Sequence, residues 1–417
     1  MRAKIGLLSL IFVLSIAPVS AFVQPQLRWE LKLPKVQVYL QRIWHSEGLV
    51  VCYIDHTKTC VSKDYSLYCI DALTGKKLWE PLTKKSGYKI LSCSLAIIGK
   101  KLYFLSISGK YIEFVCYDLE KNRQIWKTYF KSARYNAECE VECGGYTDKY
   151  YWYYHNEDVN IYNISDGKLV YIAKSKFVKN AVTRDIIFLE NQANTNLTCF
   201  DLILKKNLWQ LDKPKGVVKY SYEREGKTYV NSKEDIDKIQ SNTICIETSS
   251  GNEIWNNVYD GQTTVFWANC DKVAVCFFEW DKPPKLLLLQ ADDGKLIWEM
   301  KLDSNDFTLE CNEKYILARF YYTCKPFQIH IYDMETRKKL FATASNFLSP
   351  PITYEDKVFY VDGIGINTGI RYLRRVDPGS GKTVWTLSGE IYDFFRFGKM
   401  TLVAEPEKIS CWGDPNP

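Results

Sequence analysis

The chain has 417 residues, with 55 Lys and Arg against 49 Asp and Glu, 46% hydrophobic and 15% aromatic side chains. That composition excludes wholesale disorder, and a formal charge of +6 spread through lysine-bearing turns excludes a concentrated nucleic-acid footprint. The 29 Tyr and 12 Trp favour strands, where flat rings pack well on a pleated surface.

At the N-terminus, Arg2 and Lys4 precede the apolar run IGLLSLIFVLSI of residues 5–16. Pro18 ends the run, and VSA at 19–21 offers small residues for cleavage before Phe22. Twelve apolar residues are too few to span a hydrocarbon core of ~30 Å. Residues 1–21 are therefore expected to be a cleaved signal peptide and residues 22–417 the exported chain, secreted or periplasmic. No Cys follows the small residues to make a lipobox, and no later segment is long and apolar enough to cross a membrane. Loss of Arg2 and Lys4 leaves 53 basic against 49 acidic residues, a mild excess suited to a solvated surface.

A nine-residue unit then recurs along the whole chain. DALTGKKLW ends at Trp79, DLEKNRQIW at Trp126, NISDGKLVY at Tyr171 and DLILKKNLW at Trp209. ETSSGNEIW ends at Trp255, QADDGKLIW at Trp298, DMETRKKLF at Phe341 and DPGSGKTVW at Trp385. Each has a polar residue eight positions before the aromatic, Asp71 and Asp377 among them. Gly75, Gly167, Gly251, Gly294 and Gly381 stand midway, with Asn122, Lys205 and Arg337 in the other three units. Gly and Asn tolerate positive φ, so the middle residue is expected in the left-handed region of a hairpin turn. The Asp is expected to accept backbone N–H groups in that turn.

The aromatics lie 38 to 47 residues apart, the period of a propeller blade. Between Trp79 and Trp126, YKILSCSLAII, KKLYFLSIS, YIEFVCYD and RQIWKTYF read as four short strands in a meander. Sheets packed face to face bury both sides, which suits such nearly continuous apolar runs. Helical periodicity after residue 21 is confined to a weak signal in SKEDIDKIQS at 232–241. Trp29 in QLRWELKLP resembles the last strand of a blade that has no earlier strands, while YDFFRFG, MTLVAEP and KISCWG at the C-terminus lack a fourth. The expected fold is all-β: a single propeller of eight or nine four-stranded blades, the ring closed by the N-terminal strand pairing with the C-terminal blade.

Cys69, Cys116, Cys199 and Cys245 each stand two residues before the polar turn position. Equivalent positions on stacked sheets are ~10 Å apart, too far for a disulfide, so buried thiols are expected. Cys52 with Cys60, and Cys139 with Cys143, are the pairs left open. Glu138, Glu140 and Glu142 share one strand face, lining the axial channel or facing water. His45, His56, His155 and His330 fall in different blades, and the glycine-rich GIGINTG at 363–369 precedes no helix that could cradle phosphate. Asn163 and Asn196 open glycosylation sequons.

The Asp–Gly–Trp unit behind LYCI-like strands resembles the pyrroloquinoline-quinone-like β-propeller repeat of the quinoprotein alcohol dehydrogenase-like superfamily. That superfamily also holds the outer-membrane barrel-assembly lipoprotein, and the resemblance covers nearly all of residues 27–417. It implies that Trp79, Trp126, Trp209, Trp255, Trp298 and Trp385, with Tyr171 and Phe341, dock neighbouring blades together. It also implies what quinone catalysis would need: a disulfide of adjacent cysteines over the cofactor, and calcium held by a Glu and an Asn. The sequence has no Cys-Cys pair, and ~44 residues per blade leave little room for active-site insertions.

The expected function is that of an exported, non-catalytic scaffold that binds protein partners, with no cofactor, no metal, no nucleic acid and a monomeric ring. Its candidate contact loops are residues 231–242, 279–285 and 363–369. The alternatives are a quinone-dependent dehydrogenase and a propeller that binds a carbohydrate or small ligand.

Overall fold

The computed structural model describes residues 25–414 apart from 33–38, 47, 56–64, 79–81, 84–88, 91–94, 109–110, 132–140, 156–157, 175–181, 184, 191–192, 194, 214–215, 234–236, 238, 323–325, 346–351, 355–356, 364–370, 392 and 406–407. The signal segment, Trp79, Cys60, Cys139, Glu138, Glu140 and most of the 363–369 loop lie outside the described residues, as do the side chains of Cys52, Cys143 and Glu142.

Every helix or strand among the described residues is a β-strand, and the strands form nine antiparallel sheets. In chain order, sheet 1 holds Tyr39–Ser46, Leu49–Asp55, Tyr65–Asp71 and Leu82–Thr83. Sheet 2 runs from Lys89–Ile90 to Arg123–Lys131, sheet 3 from Val141–Tyr146 to Leu169–Lys174, and sheet 4 from Val182–Thr183 to Lys206–Asp212. Sheet 5 runs from Val217–Arg224 to Glu253–Tyr259, sheet 6 from Gln262–Ala268 to Leu296–Lys301, sheet 7 from Phe307–Cys311 to Lys339–Ser345, and sheet 8 from Ile352–Tyr354 to Lys382–Gly389. Sheet 9 comprises Asp393–Phe397, Met400–Glu405 and Lys408–Gly413, with Gln26–Lys32 antiparallel to the last of these. The weak helical signal at 232–241 does not survive: Ser232 and Lys233 end one strand of sheet 5 and Ser241 begins the next.

The burial of each strand follows from its place. Third strands are covered on both faces, so Ser241–Glu247 is buried at every residue but Glu247. Fourth strands face water on one side; within Glu253–Tyr259 only Trp255 is buried. Apolar clusters join consecutive sheets. Leu67 and Cys69 of sheet 1 pack with Leu102 and Val115 of sheet 2, and Phe114 of sheet 2 packs with Tyr151 and Tyr162 of sheet 3. Leu373 and Trp385 of sheet 8 pack with Phe394 and Val403 of sheet 9. Leu402 and Ile409 of sheet 9 pack with Val50 and Ile70 of sheet 1. The chain is thus an all-β propeller.

Cys116, Cys199 and Cys245 are buried free thiols, Cys69 is buried at the same place in sheet 1, and Cys411 does the same in sheet 9. Burial pushes the Cys116 and Cys411 thiols up to about 11 and those of Cys199 and Cys245 to about 12. Such thiols are poor nucleophiles.

Candidate functional site

The repeated turn is the most regular structure in the molecule. Its middle residue has positive φ in all eight units: 71° at Gly75, 50° at Asn122, 70° at Gly167, 52° at Lys205, 78° at Gly251, 68° at Gly294, 64° at Arg337 and 67° at Gly381. The polar residue four positions earlier closes the turn, as where Gly75 N donates to Asp71 O at 2.8 Å and Gly381 N to Asp377 O at 2.8 Å. Asp71 Oδ1 also accepts from Thr74 Oγ1, Thr74 N and Leu73 N, and the Thr74 hydroxyl leads the effects that hold its carboxyl below the usual range. Asp377 Oδ1 accepts from Ser380 N.

The aromatic of one sheet lies on the turn of the next. A Cβ added to Gly75 would come within 2.5 Å of the Trp29 ring, one on Gly167 within 2.5 Å of Trp126, one on Gly251 within 2.5 Å of Trp209, and one on Gly294 within 2.7 Å of Trp255. Glycine is therefore needed there for space as well as for φ. Four indoles also donate Nε1–H across the junction: Trp29 to Ala72 O at 3.0 Å, Trp209 to Thr248 O at 2.8 Å, Trp255 to Ala291 O at 3.0 Å and Trp298 to Met334 O at 3.0 Å. Trp126 Nε1 is buried with no partner among the described residues. Tyr171 instead stacks on Phe200 with centroids 4.3 Å apart. Phe341 touches its turn loosely, since a Cβ added to Gly381 would still lie 3.9 Å from the ring. Trp385 is wholly buried between sheets 8 and 9.

A device that sequence reasoning missed aims these rings. The register slips by one residue immediately before the aromatic in eight sheets, at Arg28, Ile125, Val170, Leu208, Ile254, Ile297, Leu340 and Val384. A β-bulge bends the strand and re-aims the following side chain. In seven of the eight, Arg28 being the exception, the trace in the sequence is an apolar residue beside the aromatic where alternation would put a polar one.

Two clefts lie on the side of the sheets where first strands turn into second strands. One, of about 400 Å³, is lined by Glu223, Glu225, Lys227 and Glu247 between sheets 4 and 5. The other, of about 440 Å³, is formed by sheets 5, 6 and 7, with Tyr222, Arg224, Trp267, Asn269 and Asn312 in its wall. Of the expected contact loops, 279–285 carries Trp280, which is 82% exposed beside Asp281 at φ 58°. The described residues contain no group of three or more His, Cys, Asp and Glu able to hold a metal. The sequence has no Cys-Cys pair, the disulfide that the quinone centre implied by the resemblance would need.

Sheets packed face to face and carrying this turn and ring make a β-propeller with a PQQ-like repeat. A family model described as outer membrane protein assembly factor BamB matches residues 26–211. No curated protein matches the sequence. Among solved structures, the chain is similar to a eukaryotic initiation factor at 11% identity and TM-score 0.52, covering 86% of this chain and 90% of that one. It is also similar to the quinohemoprotein alcohol dehydrogenase ADHIIG of Pseudomonas putida HK5 at 8% identity and TM-score 0.47, covering 94% and 76%. The corresponding enzyme of Comamonas testosteroni gives 10% identity and TM-score 0.48, covering 94% and 76%. These likenesses concern the fold. No helix among the described residues is long and apolar enough to cross a membrane.

Proposed function

We propose that this chain is an exported, non-catalytic propeller scaffold that holds a protein partner during envelope assembly. Residues 1–21 direct export, and 22–417 form one monomeric propeller domain. Its nine sheets are nine blades, and Gln26–Lys32 closes the ring by completing the last. The docking residues Trp126, Tyr171, Trp209, Trp255, Trp298, Phe341 and Trp385, with Trp79, tie each blade to its neighbour.

The observation that carries this reading is that Trp29 repeats the geometry of the internal junctions. It follows a bulge, lies on Gly75 and donates to Ala72 O, as Trp209 does with Gly251 and Thr248. A frame fastened so regularly is rigid, and rigid frames present binding loops with little ordering cost. The family model over residues 26–211 supports an assembly role.

The test is chemical crosslinking of the purified chain in native envelope or culture fluid, followed by reconstitution of the captured protein from purified components. A defined complex, formed equally with and without added quinone and calcium, is the expected result. No reconstitutable partner, or a quinone- and calcium-dependent rise in melting temperature with a visible chromophore, would overturn it.

A further inference from the structure

We infer that Arg375 and Arg396 form a carboxylate receptor, occupied by Asp414, that latches sheet 9 onto sheet 8. The latch needs no partner protein.

At other junctions an apolar pair takes this place. The residue two before the polar turn position in one sheet packs with the residue just after that position in the next. Cys69 with Leu119, Cys116 with Ile164 and Cys245 with Ala291 are such pairs, each within one apolar cluster. All six are buried. The second member is fixed by its backbone N–H, as where Leu119 N donates to Lys100 O at 3.0 Å and Ala291 N to Asp271 O at 2.9 Å. In sheet 9, Asp414 N donates to Lys399 O at 2.9 Å, so Asp414 stands where Leu119 and Ala291 stand in their sheets. Arg375, two residues before Asp377, stands in sheet 8 where Cys69 stands in sheet 1. At this junction both members of the pair are thus exchanged, and for opposite charges.

The charges meet. Arg375 Nη1 lies 2.9 Å from Asp414 Oδ2. Arg396, in the strand Asp393–Phe397, grips the same carboxylate with both terminal nitrogens, Nη1 donating to Oδ1 at 3.0 Å and Nη2 to Oδ2. Arg396 Nη1 also donates to the Thr401 hydroxyl at 2.9 Å. The side chains are 3% exposed at Arg396, 15% at Asp414 and 17% at Arg375. A two-pronged guanidinium grip is the geometry that selects a carboxylate. Burial limits screening, and a buried pair broken on one side leaves a charge uncompensated, so the latch holds only when complete. It also selects its neighbour. An apolar pair accepts any apolar surface, whereas a buried cation rejects one that brings no carboxylate.

The experiment removes the resident carboxylate and offers another. Asp414→Ala in the full chain should lower the melting temperature by about 4 °C and speed amide hydrogen exchange in sheet 9 at least about tenfold, with sheets 2 to 5 unchanged. Sodium formate at about 100 mM should restore at least about half of both losses, and sodium chloride at the same ionic strength neither. Leu119→Ala, which empties the matching position at an apolar junction, should be destabilised and indifferent to formate. Wild type, with its receptor filled, should be indifferent too.

No difference between formate and chloride, an equal effect of formate on wild type or Leu119→Ala, or faster exchange spread evenly over all sheets overturns the inference. Should Asp414→Ala fail to fold, Asp414→Asn keeps the shape without the charge and is read by hydrogen exchange alone. Faster exchange confined to sheet 9 then supports the latch, and unchanged exchange there overturns it.

Discussion

Gly251→Ala separates the two reasons for glycine at the repeated turn. The new Cβ would lie 2.5 Å from Trp209 Cβ, 2.6 Å from Cγ and 3.0 Å from Cδ1, at a residue with φ 78°. Left-handed backbone costs an L-residue about 1–2 kcal/mol, of which a part is offset by lost freedom in the unfolded chain, leaving ~1 kcal/mol. Displacing Trp209 adds overpacking and weakens its bond to Thr248 O, together about 2 kcal/mol. Gly251→Ala should therefore destabilise by about 3 kcal/mol in urea unfolding followed by far-ultraviolet circular dichroism. Gly226 has φ 80° with nothing within 4 Å of the Cβ position, so Gly226→Ala is the control and should lose only ~1 kcal/mol. In a Trp209→Ala background the cost of Gly251→Ala should fall to the control value, a coupling of ~2 kcal/mol. Equal losses at Gly226 and Gly251, or a coupling under about 0.5 kcal/mol, would refute the claim that the ring rests on the turn.

The remaining predictions concern the thiols, the N-terminal strand and pH. Iodoacetamide mapping by mass spectrometry should modify exposed Cys270 in the native protein, while Cys116, Cys199, Cys245, Cys276 and Cys411 react only after unfolding. Removing residues 22–32 uncovers the edge of Lys408–Gly413, so Cys411 should then react under native conditions with the other four still protected. His330 is buried in sheet 7, with Nδ1 3.0 Å from both the Tyr332 hydroxyl and Asp303. Burial first, and Lys339 second, lower its pKa from 6.5 against the pull of Asp303. Its stabilising contribution is thus whole above the unfolded pKa and is lost as pH falls from about 6.5 through the lowered value. His330→Gln should flatten the stability slope between about pH 7 and pH 5, and identical slopes would count against this account.

How much was legible depended on how far apart the interacting residues lie. The positive φ at Gly75 and Gly251 and the turn bonds of Asp71 and Asp377 are local, and the nine-residue spacing announces them. Lys205 and Arg337 adopt the same φ without a residue suited to it, because the hairpins on either side impose it. The bulges at Ile125, Ile254 and Ile297 escaped because a one-residue slip leaves composition unchanged. The cleft between sheets 5, 6 and 7 escaped for a stronger reason: Arg224, Asn269 and Asn312 belong to three successive repeats and meet only once the sheets are stacked.

The same stacking explains why single junctions tolerate change. Each ring meets one junction, so Phe341 can stand back from its turn, 3.9 Å even from a Cβ added to Gly381, and Tyr171 can stack instead of donating while the sheets on either side remain packed. In a repeat array stability is nearly a sum over neighbouring interfaces, and one weak seam is diluted by the others. Variation along the repeat should therefore be mild where rings meet turns.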